Sequence, residues 1–419
     1  MLLLGFSSGL PLLLVLGTLS FWLREAGVNR STVGHMAWVA LAWGFKWLWA
    51  PLVDRLPLPG LTRWLGWRRS WLLLAQCVVA AGLTGLALHD PRNGLALTAM
   101  WAGLIAWSAA TQDIALDAWR IEAVEADWQG VMAAAYQAGY RIGMIVAGAG
   151  VLWLAAWTAG AAQGYVYAAW RNAYLVMAAL MMVGMFATLW MHEVARERTP
   201  EVARAAGLPA AMRWLSGTVA APFSDFMRRY RKRALLMLAL IACYRIPDVV
   251  LGVMANVFYV DLGYTKAEVA MVSKIYGVLM SLAGAALGGV LVARFGVRRI
   301  LWLGVVLSSM GNLFYVWLAA RGHDVHALVW VISADNLMAG IGSSAFIAWL
   351  SSLTNQAYTA SQYAVLSSVM LLLPKFLAGF SGDLVNAWGY AGFFVFTAML
   401  GLPVLALLWL VGRAERAGS

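Results

Sequence analysis

Long apolar runs broken by short polar connections make up most of the chain. Runs of about 20 apolar residues, each enough to cross a bilayer as a helix, recur about twelve times. They cover residues 2–23, 33–53, 70–88, 95–119, 129–155 and 168–191, then 234–259, 269–293, 299–319, 326–350, 361–386 and 390–412. One long polar interruption, residues 193–233, divides the runs six and six. The pattern predicts an all-α integral membrane protein of twelve transmembrane helices in two six-helix bundles. The bundles are expected over 1–192 and 234–419, joined by a basic linker over 193–233.

The halves repeat. Residues 11–33 align with 247–269 at a constant offset, and 128–141 with 362–375, which sets Arg141 opposite Lys375. Two like-oriented repeats with a site between them are an architecture of secondary transporters. Loop charges then orient the bundle. Arg55, Arg63, Arg68, Arg69, Arg120, the linker arginines, Arg294, Arg298, Arg299, Arg413 and Arg416 fall on one side. The bias of basic residues toward the cytoplasm puts both termini and the linker inside. The run Arg228-Arg229-Tyr230-Arg231-Lys232-Arg233 reads as a membrane-surface anchor.

Composition agrees. Of 419 residues 63% are hydrophobic and 12% charged, with a mean hydropathy of +0.75. Soluble domains carry about a quarter charged residues. The net charge of +11 is met by loop arginines, so no nucleic-acid partner is expected. Cys77 and Cys243 lie far apart within apolar segments and read as small buried hydrophobes; with no metal-ligand spacing among cysteines or histidines, no cofactor is expected. The chain opens on Met1-Leu2-Leu3-Leu4-Gly5, which suits a first spanning helix better than a signal peptide; the want of a basic tail before it hints at a trimmed start.

Against this background residues 111–141 stand out, because they hold Gln112, Asp113, Asp117, Arg120 and Arg141. On a helix Asp113, Asp117 and Arg120 fall at i, i+4 and i+7 and line one face. Such charges persist in a span only when they face a water-filled cavity or are paired. Lys46, Arg245, Lys274 and Lys375 add further intramembrane cations, and Asp248, Asp335 and Asp383 further acids. The excess of cations implies an anionic small-molecule substrate, with Arg141, Lys274 and Lys375 as contacts and Lys46 nearby. Gln112, Tyr140, Asn256, Asn336 and Gln362 supply further cavity-lining candidates, with helix–helix hydrogen bonding as the plainer alternative. Asp113, or Asp117, is the candidate proton carrier: burial disfavours its charged form and a nearby cation favours it, so alternating access can load or release a proton. A permanent Asp113–Arg141 ion pair is the competing reading, and Asp248 can pair with Arg245 one turn away. Most tryptophans at span ends, among them Trp22, Trp49 and Trp170, read as an interfacial belt.

Two connections, Asp54-Arg55 with Gly66-Trp67-Arg68-Arg69 and Arg294-Phe295-Gly296-Val297-Arg298-Arg299, resemble the loop signature of the major facilitator superfamily. Asp54, Arg55, Arg68 and Arg120 are thereby candidates for a cytoplasmic gate. Longer motifs are more specific. They are Gly5-Phe6-Ser7-Ser8-Gly9-Leu10-Pro11, the run Phe45-Lys46-Trp47-Leu48-Trp49-Ala50-Pro51, Thr111-Gln112-Asp113-Ile114-Ala115-Leu116-Asp117-Ala118-Trp119, Tyr140-Arg141-Ile142-Gly143, Ser273-Lys274, Asp335-Asn336-Leu337 and Ser361-Gln362-Tyr363-Ala364. Together they resemble the AmpG-type muropeptide permeases over nearly the whole chain. The resemblance implies proton symport of anhydromuropeptides (disaccharide fragments of the cell wall bearing an acidic peptide) from periplasm to cytoplasm across the bacterial inner membrane; a single chain of two bundles makes a monomer the simplest expectation. Pro247 stands where the family leads one to expect glycine.

Acetyl-CoA transporters of the same branch offer a second large anionic substrate. An enzyme would need a nucleophile–base pair or a metal cluster, and no such constellation is present in the sequence. A drug-exporting antiporter would carry a proline among Gly139, Gly143, Gly148 and Gly150, and none is there.

Overall fold

The computed structural model describes residues 1–123, 129–160, 162, 164–193, 221–353 and 359–416. The protein is all-α and multi-spanning. Among the described residues nine helices are long and apolar enough to cross a membrane, from Leu2–Glu25 to Ser381–Ala414. Helix is the only regular structure that closes its own backbone hydrogen bonds in lipid, and the outward faces carry bare apolar side chains such as Trp190, Trp330 and Val290. Cys77 belongs to these exposed faces rather than to the core.

Other segments depart from uninterrupted apolar helix where chemistry is carried. The helix Leu95–Glu122 is 28 residues long but contains Asp113, Asp117 and Arg120. Residues 30–55 are broken into short pieces: Arg30–Met36, a 3-10 turn, Leu41–Phe45, a second 3-10 turn at Lys46–Leu48, then Ala50–Arg55 with Pro51 in its first turn. Tight turns inside a helix re-aim side chains, here Lys46. The helix that holds Lys274 widens into a π-helical segment, Ala270–Tyr276, between Lys266–Val269 and Gly277–Phe295. Gly389, with φ +67°, turns the chain inside Ser381–Met399, at the boundary expected between the last two apolar runs.

The chain forms two compact units, Met1–Val28 with Ala42–Leu215 and Asn29–Leu41 with Ser216–Ser419. Of the expected linker, residues 194–220 lie outside the described residues; its basic end forms the helix Ala221–Tyr230 and a 3-10 turn over Arg231–Arg233.

In the first unit Leu2–Val15 lies against Gln129–Ile145 through facing glycines. A Cβ on Gly5 or Gly9 would collide with the carbonyls of Tyr136 and Tyr140, and one on Gly139 or Gly143 with those of Leu2 and Phe6. Small residues four apart on both helices permit this backbone contact, which lipid alone would not drive. Elsewhere in the unit Trp22 stacks on Trp170 with ring centroids 5.6 Å apart and planes within 5°. Both are fully buried, so these two tryptophans are core rather than interfacial belt. They stay inside because their N–H groups find partners, Trp22 on the Tyr165 hydroxyl (3.3 Å) and Trp170 on the Glu25 carboxylate (2.5 Å).

The second unit includes Asn29–Leu41 because that segment is tied to it chemically. Arg30 pairs with Asp261 at 2.7 Å, Trp38 Nε1 donates to the Phe376 carbonyl at 2.9 Å, and a Cβ on Gly34 would meet the Gly379 carbonyl at 2.7 Å.

Replacing Gly139 by alanine is expected to destabilise the protein by about 1–3 kcal/mol through overpacking. The check is the thermal unfolding midpoint in detergent. Gly103→Ala, where a Cβ meets nothing within 4 Å, is expected to leave that midpoint unchanged or slightly raised.

Candidate functional site

The stripe read from residues 113, 117 and 120 lines a cavity of about 330 Å³ in the first unit. Asp113, Asp117 and Arg120 come from Leu95–Glu122 and Lys46 from the 3-10 turn at Lys46–Leu48. Tyr136, Gln137 and Tyr140 come from Gln129–Ile145. The glycine contact described above fixes the two tyrosines, since the carbonyls that Gly5 and Gly9 accommodate are those of Tyr136 and Tyr140. Their rings sit 5.9 Å apart, tilted by 45°.

The charges fall into two sets. Asp117 lies between two cations, with Lys46 Nζ 3.8 Å from one oxygen and Arg120 Nη2 4.0 Å from the other. Both contacts are at the limit of direct pairing, and the Lys46 and Asp117 side chains are 34% and 46% exposed. They are held by charge more than by hydrogen bonds, so another anion can compete for the cations. Asp113 is bound more closely and only by neutral groups: Ser8 donates its hydroxyl to one oxygen, and Trp43 Nε1 donates to the other at 3.1 Å. Tyr136 in turn donates to Ser8 at 3.4 Å. A hydrogen-bonded line therefore runs from the cavity wall through Ser8 to the Asp113 carboxylate.

The competing reading, an Asp113–Arg141 ion pair, does not form among the described residues. Ser8 and Trp43 occupy the carboxylate, while Arg141 is exposed and makes no ion pair among the described residues. Gln112 is fully buried, off the cavity, and its amide has no hydrogen-bond partner among the described residues. In the second unit Lys274 and Asn256 come together, Nζ donating to Oδ1 at 2.6 Å. Asn336 donates to the Ile332 carbonyl one turn back at 3.0 Å and lies against Gly277. Lys375 donates to the Ala40 carbonyl at 2.9 Å. The Gln362 side chain lies outside the described residues, as do those of Asp54 and Arg55.

Of the gate candidates, Arg68 is 4% exposed and grips Glu122 with two hydrogen bonds, Nη2 to Oε1 at 2.6 Å and Nε to Oε2 at 3.0 Å. The Glu193 carboxylate accepts the backbone N–H groups of Arg68 and Arg69 (2.9 and 3.2 Å) at the start of Trp67–Ala87, where a helix favours negative charge. Glu122 and Glu193 escape the sequence reading, although an acid closing a charged helix and an acid opening a basic linker were both visible. Ser8 stands in a family motif and Trp43 among the inward aromatics, but the sequence reading did not foresee them as the partners of Asp113, for neither is charged.

No family model matches the chain. It is 33% identical to the putative transporter AmpG 4 of Rickettsia conorii, covering 97% of this chain and 94% of that one. It is also 33% identical to the anhydromuropeptide permease of Escherichia coli K12, over 97% of this chain and 78% of the relative. Among solved structures the D-xylose-proton symporter superposes with a TM-score of 0.71 at 13% identity, covering 97% of this chain and 95% of that one. That likeness shows the fold alone. The sequence relatives show the rest: the chain belongs to the AmpG-type anhydromuropeptide permease family and is a secondary transporter with the fold of the major facilitator superfamily.

Proposed function

We propose that the protein imports anhydromuropeptides across the bacterial inner membrane by proton symport, through alternating access of twelve spans arranged as two six-helix bundles. Both termini and the linker lie on the cytoplasmic side in this reading. The observation that carries it is the cavity of the first unit, where cations, a loosely paired carboxylate and two tyrosines converge in a member of this family.

Each part has a chemical role. Lys46 and Arg120 leave Asp117 and take the carboxylates of the incoming peptide, because the existing contacts of 3.8 and 4.0 Å are weak competitors. Tyr136 and Tyr140 offer amphipathic faces to the sugar rings. Asp113 carries the proton. Its donors Ser8 and Trp43 stabilise the carboxylate, and a substrate that draws Tyr136 away from Ser8 changes that support. Substrate binding and proton binding are thus coupled through one hydroxyl. Lys274, held by Asn256, contributes the cation of the second unit, with Arg141, Lys375, Gln112, Asn336 and Gln362 as further contacts. The Arg68–Glu122 pair is the cytoplasmic gate element, with Asp54, Arg55 and Arg120 beside it in the chain's charge pattern.

The test is uptake of labelled N-acetylglucosaminyl-anhydro-N-acetylmuramyl peptide into proteoliposomes, with and without an inward proton gradient. Gradient-stimulated uptake insensitive to excess acetyl-CoA is the expected result. Strong competition by acetyl-CoA would move the substrate to that class of anion, and gradient-independent uptake would remove the coupling. In Asp113→Asn, gradient-driven accumulation is expected to fall at least about tenfold, the equivalent of ~1.4 kcal/mol, while exchange of internal for external substrate persists. Unchanged accumulation in that variant would take the proton away from Asp113.

A further inference from the structure

The second unit holds a carboxylate that the transport scheme does not use. Asp335 lies part-buried in Val325–Ser352, and Tyr315 donates its hydroxyl to Asp335 Oδ2 at 3.1 Å. The Tyr315 hydroxyl is also 3.2 Å from that of Tyr259, and both tyrosines are fully buried. A line of hydroxyls therefore runs from Asp335 through Tyr315 to Tyr259.

The surroundings are shaped for this carboxylate. On the helix Val297–Arg321, residues 308, 311, 312 and 315 share one face. Ser308 donates to Asp248, Gly311 leaves room beside Asp335 (a Cβ would lie 3.6 Å from Oδ1), and Tyr315 donates to Asp335. Asn312, 1% exposed on the same face, has an amide nitrogen with no hydrogen-bond partner among the described residues.

Cations do not compensate. Arg245, expected to pair with Asp248, instead donates to the Ser343 hydroxyl at 2.9 Å. Lys274 is engaged by Asn256, Tyr276 bonds Ser333 at 2.8 Å, and the only charged residue of Gly277–Phe295 is Arg294 near its far end. Among the described residues neither Asp248 nor Asp335 makes an ion pair. A carboxylate in an apolar bundle, with a hydroxyl partner and no ion pair among the described residues, is a place where a proton can be held.

We propose that Asp335 is a second proton-binding site, reached through Tyr259 and Tyr315. Its use in transport rests on the symport reading above; its existence does not. A proton from water enters at Tyr259, Tyr259 passes its own hydroxyl proton to the Tyr315 oxygen, and Tyr315 passes its proton to Asp335 Oδ2. Each phenol gives one proton and takes one, so both end neutral and the carboxylate ends as the acid.

Infrared difference titration of the purified full chain in liposomes, without substrate, tests this. Wild type is expected to show a carboxylic-acid C=O band that appears with falling pH, together with proton uptake read by an indicator dye. Asp335→Asn is expected to lose that band and one proton per chain, while Asp113→Asn retains it. Tyr315→Phe is expected to keep the band and displace its frequency, because the hydrogen bond to Oδ2 is gone. A band and proton count unchanged in Asp335→Asn, or a frequency unmoved in Tyr315→Phe, overturns the proposal. Because no substrate is added, failure of muropeptide uptake leaves the result readable.

Discussion

A charge inside a lipid-spanning bundle has to find a partner, and that constraint organises this protein. Water is absent as a default solvent there, so each ionised side chain takes either an opposite charge or a set of hydrogen-bond donors. The first unit uses both solutions on a single helix. Asp117 takes charge, from Lys46 and Arg120, at distances that leave the ions exchangeable. Asp113 takes donors, from Ser8 and Trp43. One turn of helix separates a carboxylate suited to trading ions from one suited to trading a proton.

That division depends on backbone placement more than on the charges themselves. Ser8 reaches Asp113 because Leu2–Val15 is drawn against Gln129–Ile145 by glycines on both helices, and the same contact holds Tyr136 and Tyr140 at the cavity. Lys46 reaches it because residues 30–55 are broken by tight turns. The second unit repeats the device with its π-helical segment at Lys274. Irregular helix in a membrane is tolerated where it lines a cavity or is buried in protein, and both irregularities carry a lysine.

Much of this was legible in the sequence. Periodicity gave the helical, multi-spanning fold, and the spacing of Asp113, Asp117 and Arg120 gave the charged face, because both follow from local geometry. The family motifs contained Ser8 and Lys46. Partner choice was not legible. Arg141 was one reading for the partner of Asp113 and Arg245 stood one turn from Asp248, yet Ser8 with Trp43 and Ser308 occupy those carboxylates. Such choices are made by contacts 60–105 residues apart, which no local pattern encodes. Trp22 and Trp170 misled for the same reason: position at a span end suggested the interface, while mutual stacking and partners for their N–H groups put them in the core.

The central claim is that the Lys46–Asp117–Arg120 set is where an anionic fragment is held. Equilibrium binding of the labelled disaccharide peptide to the purified protein, wild type against Lys46→Gln, tests it without requiring turnover. The account predicts saturable binding to wild type and an affinity at least about tenfold weaker in Lys46→Gln, ~1.4 kcal/mol. Equal affinity in the two proteins would contradict it.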